Sequence, residues 1–184
     1  MPPRQKISKQ DIIKAGFELL KTEGIESINA RAICKNLNCS TQPIFSQFAT
    51  MEELKQELIQ EARNLYNGYI QQSLKEELPF KASGMAYIRF AKNYPKLFSL
   101  LFMNDNKGNI IPSNQCDQNY NDVLKKVVEN SELNTEQSEM LYFHLWIYVH
   151  GIATNIATNS VSFTDSQISE MLTAAYNAFL KSYK

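Results

Sequence analysis

The chain has 184 residues, 43% hydrophobic and 21% charged, with nineteen Lys/Arg balanced by nineteen Asp/Glu. That length supports a substantial core, in one domain or two small ones, and the composition is ordinary for a globular protein. A net charge of zero argues at first sight against nucleic acid, but the charge is unevenly placed: residues 1–50 hold seven basic and four acidic side chains, a net +3, and the remainder is −3.

The first helix opens at Ser8, whose hydroxyl can accept from a free N–H of the first turn, with Asp11 favouring the positive end. Ile13, Gly16, Phe17 and Leu20 share a face, widened by Ile12 and Leu19, and Gly24 stops the helix. Asn29 caps a second helix to about Leu37. Ser40 caps a third, about Thr41 to Gln47, with Pro43 tolerated in its first turn. Thr50 with Glu53 forms a capping box for a fourth, running to about Leu74 with Leu54, Leu58, Ala62 and Leu65 as its seam.

Pro79 marks a break and a helix to about Asn93; Pro95 starts another, ending near Met103. Asn104 to Asn114 is a polar loop, and a helix near Cys116–Glu129 follows. Thr135 opens a long helix to about Thr158, and Thr164 with Gln167 caps the last, which reaches Ser182 with Ile168, Leu172, Ala175 and Phe179 as its apolar stripe. There is no useful strand alternation and no internal repeat. The expectation is all-α, about nine helices, divided into residues 1–50 and 51–184.

Three compartment questions have simple readings. Cys34, Cys39 and Cys116 have neither metal-ligand spacing nor even pairing, and read as small buried hydrophobes in a reduced compartment. The first residues lack the apolar run of a secretory signal. Met140 to Phe163 carries no Asp, Glu, Lys or Arg, yet His144, His150, Thr154, Asn155, Thr158 and Asn159 make it costly as a membrane span. The expectation is a cytoplasmic protein with no membrane partner.

The second and third helices carry the functional signal. Counted from Ala30, Cys34 is fifth, Asn38 ninth and Ile44 fifteenth. In a DNA-binding helix-turn-helix the fifth residue is small because the second helix crosses above it. The ninth tolerates a left-handed backbone, and the fifteenth fills the wedge between the helices. Thr41 and Gln42 open the helix that enters the major groove. Gln42 can pair with adenine, and Thr41 offers a hydroxyl and a methyl to thymine. Pro43 either touches a thymine methyl or rigidifies the helix start. Ser40 and Gln47 can hold phosphates from each end, Arg31 can reach the backbone from the second helix, and Phe45 is either core or contact. Phe48 reads as core. Arg4 and Lys6 form an arm to the DNA or a disordered tail.

These features resemble the N-terminal domain of the TetR family of transcriptional repressors: a first helix ending at Gly24, a capped second helix, the turn Asn38-Cys39-Ser40, a short recognition helix, the pair Phe45 and Phe48, and a long connecting helix from Met51. More weakly, Tyr94-Pro-Lys-Leu-Phe98 and Trp146-Ile-Tyr-Val-His-Gly151 resemble the ligand-binding half of one TetR subgroup. The resemblance implies a ligand-responsive repressor on a double-stranded DNA operator. It also implies a homodimer built through the last two helices. The chain departs from the family pattern at Asn38 for Gly, Phe45 for Tyr and Met51 for Lys. The last two remove phosphate contacts, and Lys55, one turn beyond Met51, can partly substitute for the missing Lys.

No enzyme constellation is visible. His144 and His150 are six apart, on different helix faces, where a two-His metal site wants four. Neither a metal nor a cofactor is expected. Aromatic side chains are dense instead, and while most pack as core, they can enclose a cavity for a small apolar or amphiphilic effector. Its candidate residues are Tyr66, Tyr87, Phe90, Phe98, Phe102 and Tyr120, with Phe143, Trp146 and His150; Trp146 and His150 share a face, and Gly151 would admit a neighbouring helix. The competing reading is a dimeric helical binding module with weak or lost DNA specificity.

Overall fold

The computed structural model describes residues 7–103 and 119–183. Arg4, Lys6, Cys116 and the expected loop at 104–114 lie outside the described residues. The elements are α1 (Lys9–Glu23), a 3-10 turn (Ile25–Ser27), α2 (Ala30–Leu37), α3 (Gln42–Gln47), α4 (Met51–Ser73), α5 (Pro79–Asn93), α6 (Pro95–Phe102), α7 (Tyr120–Ser131), α8 (Thr135–Ala157) and α9 (Asp165–Lys181). Among the described residues there is no strand, so the all-α expectation holds.

Local chemistry sets the helix starts. The Ser8 hydroxyl accepts from the Asp11 N–H at 3.2 Å while the Asp11 carboxylate accepts from the Ser8 N–H at 2.9 Å, a reciprocal cap. Asn29 accepts from Ala32 at 3.0 Å, and Asn134 with Gln137 and Thr164 with Gln167 form further boxes. At Thr50 the pattern is shifted. Its hydroxyl accepts from Glu53 N–H, but the Glu53 carboxylate reaches back one residue further, to Ala49 N–H at 2.7 Å.

Three boundaries differ from expectation. The third helix starts at Gln42, with Thr41 at the cap position and no side chain capping it; Ser40 instead offers its carbonyl to the Cys34 thiol at 3.1 Å. A proline in the first turn removes one of the donors such a cap would serve, so little is lost. The helix expected near Cys116 is described from Tyr120. The seam of α4 passes from Ala62 to Tyr66, not Leu65, and continues to Ile70, because a four-residue step keeps the buried line against α5.

The helix-turn-helix closes as its spacing demands. Asn38 adopts φ 50° and ψ 44°, the left-handed region, and Cys39 N–H donates to the Cys34 carbonyl at 3.1 Å. Ile44 and Phe48 are fully buried beneath the turn. In the second half α5 and α8 share the most extensive contact, flanked by α4, α7 and α9. A Cβ at Gly84 would come within 3.2 Å of Leu172 and 3.4 Å of Val149, so α5, α8 and α9 converge there. Gly151 is exposed, and among the described residues nothing comes within 4 Å of a Cβ built there, so the neighbouring helix it would admit is not one of this chain's described helices. Buried side chains of both halves form one continuous core, with α4 serving both.

The Asn38 geometry yields a stability test. Asn38→Val should cost about 1–2 kcal/mol, the penalty of a branched side chain in the left-handed region, whereas Asn38→Gly should leave the urea midpoint close to that of the parent chain.

Candidate nucleic-acid interface and effector cavity

The turn of the helix-turn-helix is flanked by two grooves. One is lined by Arg31, Lys35, Asn38, Ser40 and Thr41, with Cys34 and Cys39 at its floor. The other takes Gln42, Pro43, Ser46 and Gln47 from α3, Asp11 from the first turn of α1 and Ile7 just before it. Thr41, Gln42 and Ser46 are exposed, Pro43 and Gln47 half-buried. Phe45 is 54% exposed, while Phe48 is buried, so the aromatic pair divides between surface and core.

The electrostatics favour an anion on the first groove. Arg31 and Lys35 lie one turn apart on α2, and neither has an ion-pair partner among the described residues. Lys35 was missed in the sequence; its position four residues after Arg31 was the available signal. Cys34 is buried, which pushes its thiol up to about 11, so it stays a neutral donor to Ser40. Asp11 puts a negative charge beside Gln42, held ionised by its hydrogen bonds from Ser8. Lys55 is half-buried on α4, and Met51 packs partly into the core.

The second half contains a cavity of about 380 Å³ between α4, α5, α7, α8 and α9. Of the expected lining residues, Tyr66, Tyr87 and Trp146 line it. Phe90, Phe98 and Phe102 do not; they form an aromatic layer behind the wall, with Phe102 4.9 Å from Tyr66 and 5.1 Å from Tyr87 between ring centroids. Tyr120 also stands behind it, edge-on to the lining Tyr142 at 5.2 Å, and Phe143 is half-buried elsewhere on α8. The sequence reading missed Phe80, Tyr142, Leu145, Val149, Leu172 and Tyr176. Helical periodicity marks such residues as buried but cannot separate a cavity wall from solid core.

His150 couples to this wall from behind. Its Nδ1 lies 2.9 Å from the Tyr87 hydroxyl, and its ring stacks on Trp146 at 5.0 Å with 10° between planes, as their shared face implies. Burial holds its pKa below the ordinary 6.5. His144 points elsewhere, 3.1 Å from the Tyr183 hydroxyl. Among the described residues no three His, Cys, Asp or Glu side chains cluster to hold a metal, and no helix is long and apolar enough to cross a membrane.

No protein-family model and no curated relative matches the chain. Solved structures do. A TetR-like transcriptional regulator from Rhodococcus sp. RHA1 superposes with a TM-score of 0.68 at 12% identity, over 96% of this chain and 97% of that one. A protein with unknown function from the same organism gives 0.74 at 17% identity, over 100% and 99%. A candidate TetR-family transcriptional regulator from Mesorhizobium loti MAFF303099 gives 0.56 at 16% identity, over 95% of each chain. The chain therefore has the TetR-like fold, in agreement with the resemblance read from its helix-turn-helix spacing.

The depressed pKa of His150 makes stability depend on pH with a definite sign. Above the ordinary value of 6.5 the ring is neutral both folded and unfolded, and contributes no slope. As pH falls through that value the unfolded chain takes up a proton that the folded chain resists, so stability drops. Urea midpoints measured between about pH 7 and pH 5 should fall for the parent chain and fall less for His150→Gln.

Proposed function

We propose that the chain is a DNA-binding transcriptional regulator, acting as a repressor released from its operator by a small apolar or amphiphilic effector. The observation that carries this reading is the exposed face of α3 beside Arg31 and Lys35, which have no ion-pair partner among the described residues, in a chain that also holds an apolar cavity. Residues 1–50 contact DNA, and residues 51–184 bind the effector and dimerise. Gln42 and Thr41 read bases, with Pro43 and Phe45 as apolar contacts beside them. Arg31, Ser40, Gln47 and Lys55 hold phosphates, and Lys35 joins them. Binding, not catalysis, is the chemistry such groups support.

The dimer in this reading uses α8 and α9. Ile168 and Leu172 of the expected stripe are covered within the chain, and Ala175 and Phe179 are half-covered, so that stripe is not the open surface. The open one is on α8: Met140 is 44% and Ile147 49% exposed, and Gly151 follows one turn later with free space above it. Met140, His144, Ile147 and Gly151 repeat at helical spacing on one face. A two-fold axis there sets two recognition helices about one DNA turn, or a small multiple, apart, and the operator is a near-palindrome. An effector in the cavity changes that separation through α4 and α6.

The DNA reading is tested with a gel shift on the DNA upstream of the chain's own gene. Gln42→Ala should cost roughly 1–3 kcal/mol and relax preference at one base position, while Arg31→Ala should weaken binding to all sequences alike. No retention of that DNA at low salt, or a Gln42→Ala variant with unchanged base preference, removes the assigned reading face and favours a binding module without DNA specificity.

The dimer is tested by sedimentation at micromolar concentration. The parent chain should run as a dimer and Ile147→Glu as a folded monomer; a monomeric parent would defeat the spacing mechanism.

A further inference from the structure

The cavity wall is apolar over most of its area, yet its polar groups are not a random set. Among its lining residues there is no Asp or Glu, and Lys81 is the one charged side chain. Lys81 is half-buried at the first turn of α5 and has no ion-pair partner among the described residues. Glu76 and Glu77, nearby in sequence, are exposed and do not line the cavity.

Two more residues with donor groups line the same space from α9, the half-buried Tyr176 and, at the exposed rim, Asn177, and neither side chain has a hydrogen-bond partner among the described residues. Burial raises the Tyr176 pKa above 10.0, so its hydroxyl keeps its proton. The lining hydroxyls of Ser83 and Thr173 already donate, to Phe80 O at 2.7 Å and Ser169 O at 2.9 Å. Besides the Trp146 indole N–H on α8, the side-chain donors of this lining without a partner among the described residues are Lys81 at the start of α5 and Tyr176 and Asn177 on α9. Burial grades from Leu78 at the mouth, 63% exposed, to Leu145, which is fully enclosed.

We infer that the cavity takes a single-chain apolar molecule ending in one anionic group, its tail among Tyr66, Tyr142 and Leu145 and its head on Lys81, Tyr176 and Asn177. A cationic head would face an uncompensated ammonium, and a neutral tail alone would leave that ammonium half-desolvated without a partner. This names the class of effector and rests on the regulatory reading above.

Trp146 is the single tryptophan of the chain and lines the cavity, so binding has a direct optical readout that needs no DNA. The full chain is titrated, below micelle-forming concentrations, with decanoate, 1-decanol and decyltrimethylammonium. Decanoate should give a saturable change in Trp146 emission, with 1-decanol weaker and the cation weakest. Lys81→Gln should weaken decanoate about tenfold or more, the worth of a hydrogen bond to a charged group, and leave 1-decanol unchanged. Thermal melts confirm that the variant folds.

Equal affinity for decanoate and 1-decanol, an unchanged decanoate affinity in Lys81→Gln, or no saturable signal would each overturn the inference. The gel shift separates the two readings. Decanoate binding in a chain that retains no DNA leaves the ligand assignment standing and removes the regulator; DNA retention without decanoate binding does the reverse.

Discussion

The close seating of α1 on α4 is the constraint on which the rest of the molecule depends. At Gly16 a Cβ would stand 3.0 Å from Leu58 and 3.4 Å from Ile33, so the absent side chain lets α1, α2 and α4 meet at one point. Lys9 strengthens the same crossing from its rim, with Nζ 2.6 Å from the Glu57 carboxylate and 5.0 Å above the Phe48 ring. Both partners of that ion pair are substantially exposed, so it orients more than it stabilises. The packing beneath it does the holding, since interiors this dense do not deform smoothly.

Because α1 also packs on α6, this crossing ties the helix-turn-helix to the second half. The two candidate surfaces are therefore mechanically adjacent although they are chemically unlike. One is polar, shallow and bordered by Arg31 and Lys35; the other is apolar and opens to solvent at Leu78. Between them lie Tyr87 of the cavity wall and, packed behind it, Phe98 and Phe102 of α6. A ligand that moves Tyr87 pushes on α6, which touches α1. That route is contiguous packing.

Departures from the TetR pattern have local physical consequences. Asn38 fills the turn position without strain because its short polar side chain tolerates the left-handed region. Phe45 keeps an aromatic ring at the surface without a hydroxyl. Met51 turns partly into the core, where a lysine would have to snorkel outward to reach phosphate. The positive charge that lines the groove at the turn sits on α2, at Arg31 and Lys35, and not on α3 or at position 51 of α4.

Much of this was determined by sequence alone. Caps such as Ser8 with Asp11 and Thr164 with Gln167 act over three residues, and the turn at Asn38 over five, so their chemistry is complete within a short stretch of chain. The same locality made the helix-turn-helix legible from the positions of Cys34, Asn38 and Ile44. The cavity was not legible in that way. Tyr66 and Phe90 are both buried aromatics on helical stripes, yet one lines the space and the other fills the core behind it. Gly84, not Gly151, marks the convergence of α5, α8 and α9. Lys81 lines the same cavity as Tyr176 and Asn177, which lie nearly a hundred residues further along the chain. Which buried face meets another, and where a gap is left between them, depends on how helices cross, and only the tertiary structure decides that.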